Sequence, residues 1–253
     1  MTAVILARDL ADGEKAIIGT NSDIQVAACN LARRTHAPHL WWVSGPGGMT
    51  NPNDPVVRPT ANFENIACSE AMMDLSLMVD FIDWKIHFFD FAILGALQVD
   101  RFGNINTVCV GDWAKPQLRG PGTVGISALC GLSRRFYVVM NRHDRRSFVQ
   151  KVDFVSGAGF LDGGDSRRER GLPEGGCRFV VSPLGVFDFA PDTRRMQVKS
   201  LHHGVTAAQV QNATGFELEM PANPPRFDPP TDAELHVLRT QVDSTGVLIG
   251  LGG

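Results

Sequence analysis

The sequence predicts an α/β protein whose open, mostly parallel sheet is flanked by helices. Three observations carry that reading. Helical and strand-like apolar patterns alternate from the first residues onward. Loops rich in Gly, Pro, Asn and Asp follow directly after strands, where open α/β sheets gather their ligands. The chain has 253 residues, 43% of them apolar, enough to bury a sizeable core in one large domain or two tightly joined ones, and the expectation is a single domain spanning 1–253.

Element by element, residues 3–11 read as a helix and 15–20, Lys-Ala-Ile-Ile-Gly-Thr, as a short strand ending at a glycine. Residues 23–35 repeat apolar positions at helical spacing. Asp23 near the start and Arg33 and Arg34 at the end suit the helix dipole. His39 to Val43 is a second strand. Residues 44–62, opening Ser44-Gly-Pro-Gly-Gly, form a long loop and a site candidate. A helix at 68–82, a strand within 86–99 and a turn at Asp100-Arg-Phe-Gly-Asn104 come next. Residues 115–125 are a second glycine loop. Residues 135–140 and 178–182 read as buried strands, and 157–176 as a glycine-rich stretch with a charged run at 165–170. Residues 206–214 and 231–242 read as helices around a Pro-rich connector at 221–230.

Composition excludes several function classes. The formal net charge is -3, so no basic excess draws the chain to nucleic acid or anionic lipid. Five cysteines without C-x-x-C spacing and seven His without ligand spacing argue against a disulfide framework or a metal site, and fit a reducing cytoplasm. No apolar run approaches the ~20 residues of a membrane span, and the N-terminus lacks the pattern of a secretory signal.

One ordered set of segments goes further. Gln98-Val-Asp-Arg-Phe-Gly-Asn-Ile-Asn106 stands between a strand and a glycine loop. It is joined by Ala37-Pro38, Gly111-Asp112 with Lys115-Pro116, and Gly120-Pro-Gly122. His143-Asp-Arg-Arg through Phe154, Arg168-Glu-Arg-Gly-Leu-Pro173 and Thr214-Gly-Phe-Glu217 complete it. The set resembles the β subunit of class I CoA-transferases, most closely the glutaconate type, from about residue 3 to about 249. The resemblance implies a partner α subunit of the same fold, in an αβ or α2β2 assembly, with the active site at their interface. It implies an acyl-CoA substrate, with coenzyme A as part of that substrate and no tightly bound cofactor.

The residues themselves suggest roles. Gly103 can supply a positive φ in a tight turn, and Asn104 and Asn106 can bond nearby backbone, so the Asp100–Asn106 motif reads first as a well-made turn. Gln98, at the strand end, is a candidate for substrate or CoA binding. The loop at Gly120, Gly122, Thr123 and Val124 can bring backbone N–H groups to a thioester carbonyl, where such donors stabilise an oxyanion. Family members usually carry Gly-Gly-Ala where this chain has Gly122, Thr123 and Val124, which narrows the approach.

In the family that this chain resembles, a glutamate at the end of the second strand attacks the thioester, within Val-Glu-Ser-Gly. The matching segment here is Trp42-Val43-Ser44-Gly45. Ser44 and Gly45 match, and Val43 takes the glutamate's place. Valine has no nucleophilic atom, so covalent catalysis cannot run through this position. Ser44, without a visible His partner, reads as a loop hydrogen-bond donor. Glu64, Glu70 and Asp54 read as surface or capping carboxylates, and Cys68 as a core residue. Arg142 to Arg146 could meet CoA phosphates or a substrate carboxylate but reads first as a solvated helix start with ion pairs to an acidic partner surface. Arg167, Arg168 and Arg170 read as a charged loop. Of Trp41 and Trp42, one belongs to the core and the other could line a cavity. The expectation is a subunit of a heteromeric enzyme on CoA thioesters, performing C–C bond hydrolysis or a related enolate reaction with a base from the partner. A CoA-transferase subunit and a catalytically silent subunit are the alternatives.

Overall fold

The first apolar run forms a buried helix, α1 (Thr2–Ala7), which ends sooner than its apolar pattern. Strand β1 (Lys15–Ile18) follows, then α2 (Asp23–Thr35). Helix α2 carries Asp23 in its first turn and Arg33 and Arg34 in its last, and buries the apolar face that packs on α1. Strand β2 (Trp41–Ser44) leads to two short strands, β3 (Met49–Thr50) and β4 (Ala71–Met72), and to helices α3 (Phe63–Ala67) and α4 (Leu75–Asp83). The helix expected at 68–82 is thus the short strand β4 followed by the shorter helix α4, with α3 lying before it. Strand β5 (Phe91–Gly95) runs beside β1. The pairs β1–β2 and β1–β5 are parallel, while β2–β3 and β3–β4 are antiparallel. The computed structural model describes residues 1–19, 22–45, 48–52, 63–83 and 86–248. These residues fall into two compact units, and the elements from Met1 to Ile93 belong to the first.

The second unit, Leu94–Asp228, opens with β6 (Gln98–Asp100) and β7 (Ile105–Asn106), an antiparallel pair around the Asp100–Asn104 turn. A small hairpin, β8 (Cys109–Val110) and β9 (Leu118–Arg119), runs into the glycine loop and then α5 (Ile126–Leu132). Strand β10 (Arg135–Val139) pairs in parallel with β12 (Cys177–Ser182), as the sequence predicts for buried α/β strands. Strand β11 (Phe148–Val149) lies parallel to β6, and the short helix α6 (Ser166–Glu169) sits in the glycine-rich stretch. Strands β13 (Gly185–Phe189) and β14 (Met196–Leu201) extend β12 as an antiparallel meander, unforeseen because neither shows a long apolar run. Helix α7 (Ala207–Ala213) starts at a reciprocal capping box of Thr206 and Gln209.

The chain then returns to the first unit. Helix α8 (Asp232–Val237) opens on a second capping box, Thr231 with Glu234, and passes into a π-helical turn at Leu238–Val242. Arg8 clamps this segment in place. Its Nε and Nη2 each lie 2.7 Å from one oxygen of Glu234, and Nη2 also donates to the Pro229 carbonyl. No helix among the described residues is long and apolar enough to cross a membrane.

Candidate functional site

In the second unit, the Asp100–Asn104 turn is held by its own side chains. Asp100 Oδ1 accepts the backbone N–H of Phe102 at 2.9 Å and of Asn104 at 3.1 Å. Asn104 in turn accepts from Gly159 N at 2.9 Å and Leu161 N at 3.0 Å. Burial pushes the Asp100 carboxyl up from its ordinary value, and these hydrogen bonds oppose the rise. Gly103 has φ +70, and a Cβ there would come within 2.6 Å of Phe189 and 2.8 Å of Cys177. Only glycine fits both the conformation and the space.

Gln98 and Asn106, opposite each other in the β6–β7 pair, form a buried amide pair. Asn106 Nδ2 donates to Gln98 Oε1 at 2.8 Å, and Gln98 Nε2 donates to Asp153 Oδ2 at 3.0 Å. The Asp153 N–H returns to Gln98 Oε1 at 3.1 Å, and Asp153 Oδ2 also accepts Gly111 N–H at 2.8 Å. Gln98 is 2% exposed and both ends of its amide are engaged. The structure therefore gives it a positioning task, tying β6 to the β8–β9 hairpin. Asp153, which completes this link, is not apparent from the sequence pattern; it lies within the His143–Phe154 segment.

The glycine loop is bonded to the backbone that follows Asn106. Gly120 N–H donates to Val108 O at 2.7 Å and Gly122 N–H to Thr107 O at 3.2 Å, so these two donors are engaged by the chain itself. A Cβ on Gly120 would stand 2.2 Å from the Thr107 carbonyl oxygen, which makes glycine obligatory there. Gly122 has open space but φ +97. Thr107 Oγ1 donates to Gly122 O at 2.7 Å and pins the loop from below, beside Ser156 Oγ at 3.0 Å. The next three N–H groups, of Thr123, Val124 and Gly125, donate to no acceptor among the described residues. The free donors of the loop are thus one step further along than its glycines suggest. Val124 projects beside them at 92% exposure. Three adjacent unengaged N–H groups on a braced loop can hold a developing oxyanion.

In the first unit, Val43 is fully buried in β2, paired with Ile17 of β1 and Thr50 of β3. Ser44 is equally buried. Its Oγ has no hydrogen-bond partner among the described residues, so the expected loop donor is an enclosed hydroxyl. Gly45 N–H donates to Ile18 O at 2.8 Å, and a Cβ there would press on the same carbonyl at 3.2 Å. Glu70 is engaged by Asn51 Nδ2 and Arg33 Nη2, each at 2.7 Å, which hold its carboxyl below the ordinary range. Glu64 is exposed, and Asp54 lies outside the described residues. Cys68 is only half-buried, with Sγ toward Asn65 O, rather than a core residue. Trp42 is the core member of its pair, fully buried with Nε1 on Asn30 Oδ1 at 3.3 Å. Trp41 packs instead on Phe88 and Phe89.

The two basic clusters divide between surface and interior. Residues 142–146 are a turn rather than the expected helix start; Arg142, Arg145 and Arg146 are exposed, but His143 turns inward and stacks on Phe148 at 3.6 Å between ring centres. Thr214 Oγ1 donates to Val210 O, so His143 Nε2 carries the proton given to Thr214, at 3.0 Å. Nδ1 then accepts from Ser182 Oγ at 2.8 Å. Burial holds the imidazole down at about 4. Arg168 on the short helix α6 and Arg170 at its end, where a charged loop was expected, stay exposed with Asp165 and Asp162 as partners. Arg167 does not. It is 5% exposed, and its guanidinium donates only to backbone carbonyls, among them those of Cys130 and Gly131 at the end of α5. No group of His, Cys, Asp and Glu among the described residues could hold a metal ion.

Residues 1–213 match the family described as Coenzyme A transferase. The chain belongs to that family. It is 32% identical over 256 residues to the B-type subunit of 3-oxoadipate CoA-transferase from Pseudomonas knackmussii, covering 100% of this chain and 96% of that one. It is 31% identical over 248 residues to the cholesterol ring-cleaving hydrolase IpdB subunit of Mycobacterium tuberculosis, covering 95% and 92%. Among solved structures, glutaconate coenzyme A-transferase from Acidaminococcus fermentans superposes with a TM-score of 0.88 at 24% identity, over 98% of this chain and 95% of that one. That likeness bears out the α/β fold expected from the sequence.

Proposed function

We propose that this chain is the B-type subunit of a heteromeric enzyme that acts on acyl-CoA thioesters without a covalent intermediate on this polypeptide. The supporting observation is Val43. It occupies the place that the resemblance assigns to the nucleophilic glutamate, and it is a fully buried aliphatic residue inside the β2 ladder. The neighbouring Ser44 hydroxyl is enclosed, and Glu70 is committed to Asn51 and Arg33. What this chain offers the substrate is the row of N–H groups at Thr123, Val124 and Gly125.

Those donors suit a reaction that develops charge on a thioester oxygen. In hydrolytic cleavage of a β-keto acyl-CoA, water adds to the β-carbonyl and the C–C bond breaks. The bonding pair enters the thioester as an enolate, whose carbon then takes a proton. The products are a carboxylic acid and a shorter or ring-opened acyl-CoA. The base that activates the water comes from the A-type partner, a homologous subunit. Support also comes from the ring-cleaving hydrolase subunit among the relatives.

A second reading rests on the 3-oxoadipate CoA-transferase relative, which spans the whole chain. Under it, the complex exchanges CoA between acids through a nucleophile supplied by the partner. One experiment separates the two. The co-expressed complex is incubated with a panel of β-keto and unsaturated CoA thioesters and treated with borohydride. Ring-opened or cleaved products with no reduced acyl adduct on this chain are expected. A trapped glutamyl adduct on this chain would refute the proposal, and label exchange between free acid and acyl-CoA would select the transferase.

A further inference from the structure

We propose that Thr107 is a positioning residue for the donor loop: its hydroxyl aims the Thr123 N–H at the thioester oxygen by holding the carbonyl of the same peptide group. The inference deepens the proposed function and rests on its reading of Thr123, Val124 and Gly125 as oxyanion donors. Thr107 directly follows β7 and is 4% exposed. It grips Gly122 at both ends. The Thr107 carbonyl accepts Gly122 N–H at 3.2 Å, and Thr107 Oγ1 donates to Gly122 O at 2.7 Å.

A trans peptide group is planar, so its C=O and N–H point in opposite directions. Gly122 O and Thr123 N–H belong to one such group. Holding the oxygen toward Thr107 therefore turns the Thr123 N–H away from it. The next peptide group is fixed from within the loop: Thr123 O accepts the Ile126 N–H at the start of α5, which sets the Val124 N–H. Gly122 O has no such local partner among the described residues, and its aim depends on a hydroxyl fifteen positions away. Gly122 adds little restraint of its own, since a Cβ there would meet open space. The bond to its carbonyl also polarises the peptide group, which strengthens the N–H as a donor.

The hydroxyl is itself oriented. Ser156 Oγ lies 3.0 Å from Thr107 Oγ1, accepts the Thr107 N–H at 2.9 Å and donates to Ile105 O at 2.9 Å. Gly122 O and Ile105 O are carbonyls and can only accept, so each hydroxyl proton has a defined place. Ser156 is 2% exposed, which keeps water from competing for the pair. Past Thr107, Asn106 Oδ1 accepts the Val108 N–H at 2.9 Å and holds the backbone on that side. Packing alone would be served by valine, which has the shape of threonine and no proton to direct.

The test separates the hydroxyl from the shape of the side chain. The complex co-expressed with its A-type subunit binds acetyl-CoA isotopically labelled at the thioester carbonyl, and difference infrared spectra read the bound carbonyl band. In the wild type the band is expected below its position in free acetyl-CoA, because hydrogen bonding weakens the C=O bond. Thr107→Val should move it at least halfway back. The same variant should lower kcat on a cleaved β-keto thioester at least about tenfold, with KM within about twofold. Thr107→Ser restores the hydroxyl and should keep the band, with kcat within about threefold of wild type. Should the valine variant fail to assemble, Thr107→Ala lacks the hydroxyl, crowds nothing and reads the same two quantities. A valine or alanine variant with the wild-type band and kcat overturns the positioning role alone. A wild-type complex whose bound carbonyl absorbs where free acetyl-CoA does refutes the donor loop, and the role of Thr107 falls with it.

Discussion

Replacing Arg167 with methionine is expected to destabilise the second unit severely and to loosen the donor loop. Arg167 Nε donates to Pro173 O at 2.9 Å. Nη1 donates to Ala158 O and Gly159 O, both at 3.0 Å, and Nη2 to Cys130 O at 3.0 Å and Gly131 O at 2.9 Å. All five guanidinium N–H groups are thereby satisfied, and every acceptor is a backbone carbonyl. Burial lowers the pKa of this group, yet a guanidinium remains charged at neutral pH. Each bond to a charged donor is worth about 1.5–3 kcal/mol, offset by several kcal/mol for desolvating the cation. Methionine keeps the volume but leaves the carbonyls without donors, so the net loss is about 3–5 kcal/mol. Lysine keeps the charge and can engage three carbonyls at most, so it should lose about half as much. For a chain of this size that loss lowers Tm by roughly 6–20 °C. Urea titration and calorimetry of the complex measure it. Hydrogen exchange adds a local readout: amides of 120–132 should exchange faster in the lysine variant, while those of 98–106 stay protected. A methionine variant within about 1 kcal/mol of wild type would refute the reasoning, since five backbone carbonyls would then have lost their donor without the desolvation cost expected of unpaired acceptors.

Gly120→Ala is expected to displace the loop, because its Cβ would meet Thr107 O at 2.2 Å and Leu97 Cδ1 at 2.6 Å. Turnover of the complex should fall at least tenfold with the subunits still associated, and unaltered kcat/KM would count against the loop's role. Below neutrality the chain should weaken through His143. Its folded pKa, near 4, lies below the unfolded 6.5, so the unfolded chain binds more protons between these values. The contribution is complete above pH 6.5 and is lost as pH falls toward 4, with a slope of up to about 1.4 kcal/mol per pH unit. Urea midpoints measured across that window should lose this slope in His143→Gln. Four cysteines, Cys29, Cys109, Cys130 and Cys177, are buried and only Cys68 is partly accessible. A thiol reagent should therefore label one residue in the native chain before unfolding exposes the rest, and rapid labelling of Cys130 would contradict the packing.

Much of the fold was legible because local signals and tertiary packing agree there. Helix α2 coincides with its apolar period and its charged ends, and β1, β10 and β12 coincide with continuous apolar runs buried on both faces. Where the signal is short, tertiary context decided. The stretch 68–82 divides into β4 and α4 because β4 gains a ladder with β3. Strands β13 and β14 exist through their pairing with β12, which no local pattern announces. The Asp100–Asn106 motif was readable as a turn, since Gly103 and the Asx side chains state their backbone chemistry locally.

The amino-acid sequence by itself determined the α/β class, the coenzyme A transferase family and the presence of valine at position 43, because helical period, apolar runs and residue identity are properties of neighbouring residues. The tertiary structure alone decided which polar groups are free. It closed the amide of Gln98 against Asn106 and Asp153, engaged the N–H groups of Gly120 and Gly122, and left those of Thr123, Val124 and Gly125 open. It also drew Arg167 from a charged run into the interior and left Trp113 outside. The physical reason is that a hydrogen-bonding group is committed or available only according to what the distant chain places beside it.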